Sequence, residues 1–417
     1  MKRVTLLVER SVGIVQEIAT LGLPLRRAND LSPAPAVWLG PITVLVLLAA
    51  SYLVVGRIFE DLTLGGHEWR QGGWLINSLN EPVRRGLFGA FIIRTADGLG
   101  LSPLVLVAFL QIGLFAALVG IVSMVLHHLR YDALACLLVL LPGVFVSFWG
   151  ATSADGMRQE QIAFLAMAAL LVGQVQRRVR NSSGMVAVGL MMLAVSAHEV
   201  AIHLLPGFLL LYWICLRPGR IEAGVVAALV IATGLAGVTY TVAFSSVEDA
   251  RVICEPLLER GLVPEICAGA IGHLESGFDG AAPYVYDKII LNLAFLGPIV
   301  SLLIIRYGTF RLGSFTTQPR LVRSLWWCTM LPVLPLYLVA IDWGRWISLQ
   351  MTSFALLMLA LAIAGKVRLC RPVGDRAILV FFLFGLAWSP DLITGIRLGG
   401  LLKEFPASFL ESVAAVD

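Results

Sequence analysis

The chain has 417 residues, 58% of them hydrophobic and only 14% charged, with a formal net charge of +4. Its mean hydropathy is +0.87. Soluble domains carry about 45–50% apolar and about 25% charged residues, so this composition excludes a water-soluble fold and makes lipid the solvent for most of the chain.

Residues 1–35 carry apolar stretches interrupted by Arg10 and Glu17 and have no clean cleavage site. They read as an amphipathic segment on the cytoplasmic membrane surface and not as a cleaved signal peptide. A bilayer-crossing helix needs about 20 apolar residues. Runs of that kind predict spans near 36–56, 103–126, 133–150, 160–176, 185–197, 198–216, 223–244, 289–305, 324–341, 346–365 and 377–389. The runs are apolar all round and do not alternate, which argues for helices against strands. The expected fold is therefore all-α: a polytopic transmembrane helical bundle of about eleven spans, with the N-terminus cytoplasmic and interfacial amphipathic helices. Its transmembrane domain covers 36–389, with outer loops 57–102 and 245–288, and residues 390–417 form a C-terminal outer-face tail.

The stretch 185–216 is long for one span and short for two, and Ser196, His198, Glu199 and Pro206 lie near its middle. Read as two helices meeting at a polar bend, it leaves 19 of the 31 basic residues but only six of the 27 acidic ones on the inner side. That distribution follows the positive-inside bias, and it favours two helices.

The polar residues then gather at the outer helix ends. Glu60 and Asp61 follow the first span. Asp155, Arg158 and Glu160 join the third span to the fourth. His198 and Glu199 occupy the bend, and Asp342 and Arg345 link the ninth span to the tenth. Ionisable groups at membrane depth are costly unless paired or hydrated, so they mark candidate sites. A carboxylate such as Glu60 or Asp61 can take a proton from a sugar hydroxyl, and a guanidinium such as Arg158 or Arg345 can hold phosphate through two donors. Each group also has a plain structural reading, as a solvated helix end or an ion pair. His198 and His203 are five apart, which fails the HExxH metalloprotease spacing, while Glu199 and His203 share a helix face and are placed to hydrogen-bond. Residues 67–98 read as amphipathic helix along the outer interface. Trp69, Trp74, Leu75, Leu79, Phe88 and Phe91 form its apolar side, and Arg84 and Arg85 are placed to meet lipid phosphates. The six cysteines form no metal spacing, and Cys254 and Cys267, in one polar loop, are the candidate disulfide. No Walker loop, GxGxxG or GxSxG occurs.

Three features together resemble GT-C-type membrane glycosyltransferases and the neighbouring EpsG/Wzy-type polysaccharide polymerases. They are the Glu60-Asp61 pair, the interfacial segments after it, and the run GMRQEQIAFLAM (156–167) followed by AHEVAIHLLPGFLLLY (197–212). The likeness covers roughly 36–216 and DWGRW at 342–346. It implies an enzyme of the bacterial inner membrane that takes sugar from a polyprenyl-phosphate or polyprenyl-diphosphate carrier on the periplasmic face. Its acceptor would be a glycan or lipid, in envelope or exopolysaccharide assembly. Glu60 or Asp61 would be the base, and Arg158, His198 and Arg345 would hold the lipid phosphate, with Asp155, Glu160, Glu199, Asp342, Arg84 and Arg85 around them. The implied partners are membrane lipids and polysaccharide assembly proteins, with no nucleic acid; no cofactor is implied, and use of a divalent cation is open. A single acidic loop, 245–288, replaces the long basic loops of many Wzy polymerases. A polysaccharide-precursor transporter or flippase and a non-catalytic assembly subunit are the alternatives.

Overall fold

The computed structural model describes residues 38–151, 156–276, 296–340, 342–369, 375–390, 396–398 and 400–406. The segment 1–35, expected to be amphipathic, Asp155, residues 277–288 of the outer loop 245–288 and the start of the span expected at 289–305 lie outside the described residues, as does the segment 407–417. The described chain is helical almost throughout. Its only named strands are a short antiparallel pair, β1 (Trp388–Pro390) and β2 (Ile396–Leu398).

The first helix, α1 (Leu39–Thr63), contains proline only in its opening turn, where the missing amide donor costs nothing. It ends where Gly65 and Gly66 take positive φ of 85° and 106°. A Cβ at these glycines would meet Val263 at 2.6 Å and Ile266 at 2.5 Å, so two bare backbones are what allow a later loop to seat here. After α2 (Gly72–Leu75) and α3 (Gly86–Leu99), α4 (Pro103–His128) begins with proline at its first turn. The predicted interfacial helix over 67–98 is thus two helices with an extended stretch between them. Pro82 and the left-handed Arg85 (φ 66°) interrupt the helical ladder. Trp74 and Leu75, expected to face lipid, are buried in protein, while Leu87 and Phe91 are exposed.

The span expected at 133–150 is instead two short buried helices, α5 (Ala133–Val139) and α6 (Phe145–Ala151). Pro142 and Gly143 (φ 81°) break the run. The freed groups find side-chain partners: Phe145 N–H donates to Thr352 Oγ1 at 3.0 Å, and Ser147 Oγ donates to the Leu141 and Val144 carbonyls. Helices α7 (Glu160–Val175) and α8 (Arg180–Ala197) form a tight hairpin. The chain reverses at His198, whose backbone is extended (φ −154°), and a 3-10 turn, Glu199–Leu204, leads into α9 (Leu205–Leu216). Helix α9 runs back along α8, since a Cβ on Gly184 would lie 2.6 Å from Leu216. The region 185–216 is therefore two helices.

Helix α10 (Arg220–Ala243) is largely exposed along its length. α11 (Arg251–Leu258) follows in the loop, then α12 (Leu296–Ser314), α13 (Pro319–Val333) and α14 (Leu336–Val339). Helix α15 (Trp343–Ile363) is the axis of the bundle, buried from Trp343 to Leu361. After α16 (Asp375–Ala387), residues 400–406 form a last helix, α17. The segment expected as an outer tail thus includes a helix packed on α1, with Leu401 against Gly150 and Phe405 edge-on to Tyr52.

Six described helical stretches are long and apolar enough to cross a membrane: Leu39–Thr63, Pro103–His128, Arg177–Ala197, Glu199–Leu216, Arg220–Ala243 and Trp343–Ile363. The chain is an all-α membrane protein.

Two groups of contacts lie at opposite ends of the bundle. At one, Thr317 N–H donates to the Arg368 carbonyl at 2.8 Å. At the other, loop 64–101 and loop 244–276 lock together as a cap. Asn77 Nδ2 donates to the Ile253 carbonyl, Ala270 N–H to the Glu68 carbonyl and Arg84 N–H to the Phe244 carbonyl, and Arg260 pairs with Asp97. Within the cap, Cys254 and Cys267 are joined as a disulfide, with Cα atoms 5.9 Å apart.

Candidate functional site

Asp61 lies on the last turn of α1 and is 5% exposed, while Glu60, rotated about 100° around the helix, is exposed. The acidic pair is thereby split, and only Asp61 enters the protein. Its Oδ1 accepts from Arg70 at 2.6 Å; its Oδ2 is buried and has no hydrogen-bond partner among the described residues. The Gly65-Gly66 turn brings Arg70 back beneath α1. His67 Nδ1 fixes that turn by accepting from the Trp69 and Arg70 amides, at 3.1 and 3.4 Å. Burial, reinforced by the Arg70 guanidinium, lowers the His67 pKa and keeps the imidazole neutral.

Arg158 approaches the same turn from another direction, its guanidinium 5.4 Å from the centre of the Trp69 ring. It is delivered by Met157, which holds a left-handed backbone (φ 66°) at a cost of order 1–3 kcal/mol. Two donors on the Met157 carbonyl, Trp74 Nε1 at 2.9 Å and Gln111 Nε2 at 2.7 Å, keep that conformation in place. Gln159 Nε2 adds a bond to the Gly73 carbonyl. The polar turn before α7 is therefore stitched to the cap.

From Arg158 the charges continue inward. Asp342 Oδ2 lies 3.6 Å from Arg158 and 3.5 Å from Arg345. Arg345, on the first turn of the central helix and 2% exposed, grips Glu160 through two parallel bonds of 2.9 and 2.8 Å. The same guanidinium lies 3.0 Å from His198 Nε2; having only donors, it makes that nitrogen an acceptor. His198 Nδ1 is 3.4 Å from Glu199 Oε2, and Glu199 is clasped in turn by Arg85, Nε lying 3.0 and 2.9 Å from its two oxygens. Arg84 sits half-buried beside Arg85, and desolvation lowers its pKa to about 10.

Asp61, Arg158, Glu160, His198, Glu199, Asp342, Arg345, Arg84 and Arg85 thus belong to one neighbourhood under the cap. Two expectations are corrected. Arg85, expected to meet lipid phosphate, pairs with Glu199. Glu199 and His203 do not bond: the 3-10 turn changes their relative angle, and His203 Nδ1 lies at the Pro332 carbonyl instead. His67, Arg70 and Gln111 are members that the sequence did not single out. The signal for the first two was HEWR following directly on a Gly-Gly turn.

Its ion pairs join four guanidinium groups (Arg70, Arg85, Arg158, Arg345) to four carboxylates (Asp61, Glu160, Glu199, Asp342), with Arg84 and Glu68 beside them, so the charges of the network balance. A guanidinium group can hold an anion through two parallel donors. Among the described residues no three His, Cys, Asp or Glu side chains gather to hold a metal ion. No protein-family model matches the sequence, and no curated protein or solved structure matches the chain.

Proposed function

We propose that the protein is an integral-membrane glycosyltransferase or polymerase that moves sugar from a polyprenyl-(di)phosphate carrier to a glycan or lipid acceptor. The reading includes about eleven spans, the one at 133–150 broken into α5 and α6, a cytoplasmic N-terminus, and a capped end facing the periplasm of a bacterial inner membrane. One observation carries it: charged residues remote in sequence (Asp61, Arg158, Glu160, Asp342 and Arg345) form largely buried ion pairs close together at one end of the bundle. Sidedness draws support from the basic residues of the other end and from the disulfide in the cap, a bond favoured in oxidising compartments.

In this mechanism Asp61 Oδ2 accepts the proton of an acceptor hydroxyl. The oxygen attacks the anomeric carbon of the donor, forming the new glycosidic bond as the bond from that carbon to the phosphate oxygen breaks. Arg158 and Arg345 stabilise the departing lipid phosphate. His198 and Glu160 position Arg345, and Arg70 orients the Asp61 carboxylate.

Purified protein incubated with labelled polyprenyl-linked sugar tests the proposal. Asp61→Asn should abolish transfer, Arg158→Ala should slow it by about 10²–10³-fold, and Glu60→Gln should leave it intact. Normal transfer in both of the first two variants removes the site. A second reading, a flippase for the same carrier, draws on the discontinuous α5–α6 pair, since broken helices are common at transporter binding sites. Carrier translocation in vesicles without sugar transfer would select it.

A further inference from the structure

At the end of the bundle remote from the cap, two successive hairpin turns bring five arginines together. Arg177, Arg178 and Arg180 lie at the turn between α7 and α8, and Arg217 and Arg220 flank the turn between α9 and α10. The packing of α9 on α8 joins the two turns. A Cβ on Gly184, one helical turn from Arg180, would lie 2.6 Å from Leu216, the residue before Arg217. Cys215 Sγ donates to Gln174 Oε1 at 3.2 Å and ties the same corner to the end of α7. Arg177, Arg178, Arg217 and Arg220 are exposed, and Arg180 is half-buried. Unlike the arginines under the cap, none of the five has an ion pair among the described residues. Residues 174–186 contain no carboxylate, and 213–225 contain only Glu222, which accepts from the Tyr212 hydroxyl at 2.9 Å.

We propose that this corner binds the headgroup of an anionic phospholipid, a site separate from the capped end and independent of the reaction proposed there. Depth selects that occupant first. The stretches Arg177–Ala197, Glu199–Leu216 and Arg220–Ala243 are each long and apolar enough to cross a membrane, and each starts or stops at this cluster. The guanidinium groups therefore stand where hydrocarbon gives way to lipid phosphate. The neighbouring side chains select it again. Val179 beside Arg178, Trp213 one turn before Arg217 and Ile221 beside Arg220 are exposed, Ile221 by 85%. A soluble polyanion would meet the guanidiniums and leave these apolar groups in water, whereas a phospholipid covers both, phosphate on arginine and acyl chain on hydrocarbon. Arg217 also holds a left-handed backbone (φ 46°), a helix-end position that favours glycine, yet the turn presents a guanidinium there. The positive-inside bias places basic residues on one face of a membrane; it does not require them to be unpaired and drawn into one corner by the contact of α8 with α9.

The test uses full-length protein in neutral detergent with diphosphatidylglycerol as the probe, its binding counted by native mass spectrometry. Wild-type protein should retain diphosphatidylglycerol in preference to phosphatidylcholine. Arg177→Gln with Arg178→Gln, and Arg217→Gln with Arg220→Gln, should each weaken that binding about 30-fold, equivalent to about 2 kcal/mol for two arginines at a lipid surface. Arg311→Gln with Arg323→Gln removes the same charge from exposed positions outside the two turns and should leave binding unchanged. A photoactivatable diphosphatidylglycerol should label peptides covering 177–186 and 213–225; this is read on the wild-type protein and holds even where a variant fails to fold, which thermal unfolding without lipid detects. Equal retention of phosphatidylcholine, no loss in either turn variant, an equal loss in the Arg311 and Arg323 pair, or labelling spread evenly over the helix ends would overturn the site. Displacement of the lipid by equimolar inorganic pyrophosphate would give the corner to a soluble anion and overturn the lipid assignment. Sugar transfer does not enter any of these readouts, so the failure of either proposal leaves the other standing.

Discussion

A guanidinium that is 2% exposed persists only where its charge is matched, and Arg345 is matched by Glu160 through two bonds, by Asp342 and by the His198 acceptor. Removing one partner strands the other charge, so Glu160→Ala or Arg345→Ala should each lose about 3–5 kcal/mol of stability. The double replacement Glu160→Gln with Arg345→Met should recover much of that loss while remaining inactive; thermal unfolding in detergent, read beside transfer, separates the two effects. Arg345→Lys should fold but fail in transfer, because a point charge cannot reproduce the fork. His67 carries a different expectation. Its pKa is lowered by burial and by Arg70, with Arg158 adding repulsion and Asp61 and Glu68 partly opposing it. The folded protein therefore resists a proton that the unfolded chain accepts, so stability holds above the ordinary imidazole pKa of about 6.5 and declines as pH falls below it. Unfolding temperature measured between pH 8 and 5 should drop, and His67→Gln should flatten the drop. An equal slope in that variant would place the titration elsewhere. Arg345 and Arg158 drew notice in the sequence because each sits in a small charged cluster at the end of an apolar run. Arg70 was not, because its role depends on a turn that folds the chain back under Asp61, and residue type carries no trace of that reversal.

At the scale of elements, hydropathy located the helices and mistook what surrounds some of them. The run 133–150 has the composition of a span, but lipid and protein interior are equally apolar to such a measure. Only Pro142 and Gly143 signalled the break between α5 and α6, and the side chains that repair it, Thr352 as acceptor and Ser147 as donor, act from another part of the fold and from a neighbouring turn. The segment 67–98 failed for a related reason: its tryptophans were assigned to the membrane interface, yet Trp74 is buried and spends its indole N–H on Met157. The cap that results is held by few interactions and one covalent link. Closing a loop with a sequence separation of 13, the Cys254–Cys267 bond should contribute about 3 kcal/mol. Cys254→Ser together with Cys267→Ser should therefore lower the unfolding temperature and expose 245–276 to protease while the helical content stays intact. Unchanged protease resistance would mean that the hydrogen bonds to Asn77 and Glu68 hold the cap unaided.

For the whole molecule, the arrangement follows from a conflict between solvents. Charges that would be expelled from lipid can persist at a helix end when a folded cap shields them, and here the cap is made from two loops far apart in the chain. The same end therefore gathers Asp61, Arg158, His198 and Arg345, while the Thr317–Arg368 contact closes the other. The expected sidedness rests on loop charge, since basic residues cluster in the segments of the second end. It fixes an expectation for intact cells. Cysteines introduced at the exposed positions Glu60 and Asp97 should react with a membrane-impermeant maleimide applied from the periplasm, and one at Arg368 should react only after the membrane is opened. The contrast does not depend on catalysis, so an inactive Asp61→Asn background should label identically. The reverse pattern would put the anion site in the cytosol, in contact with nucleotide-linked donors, and the lipid-carrier mechanism would then lose its premise.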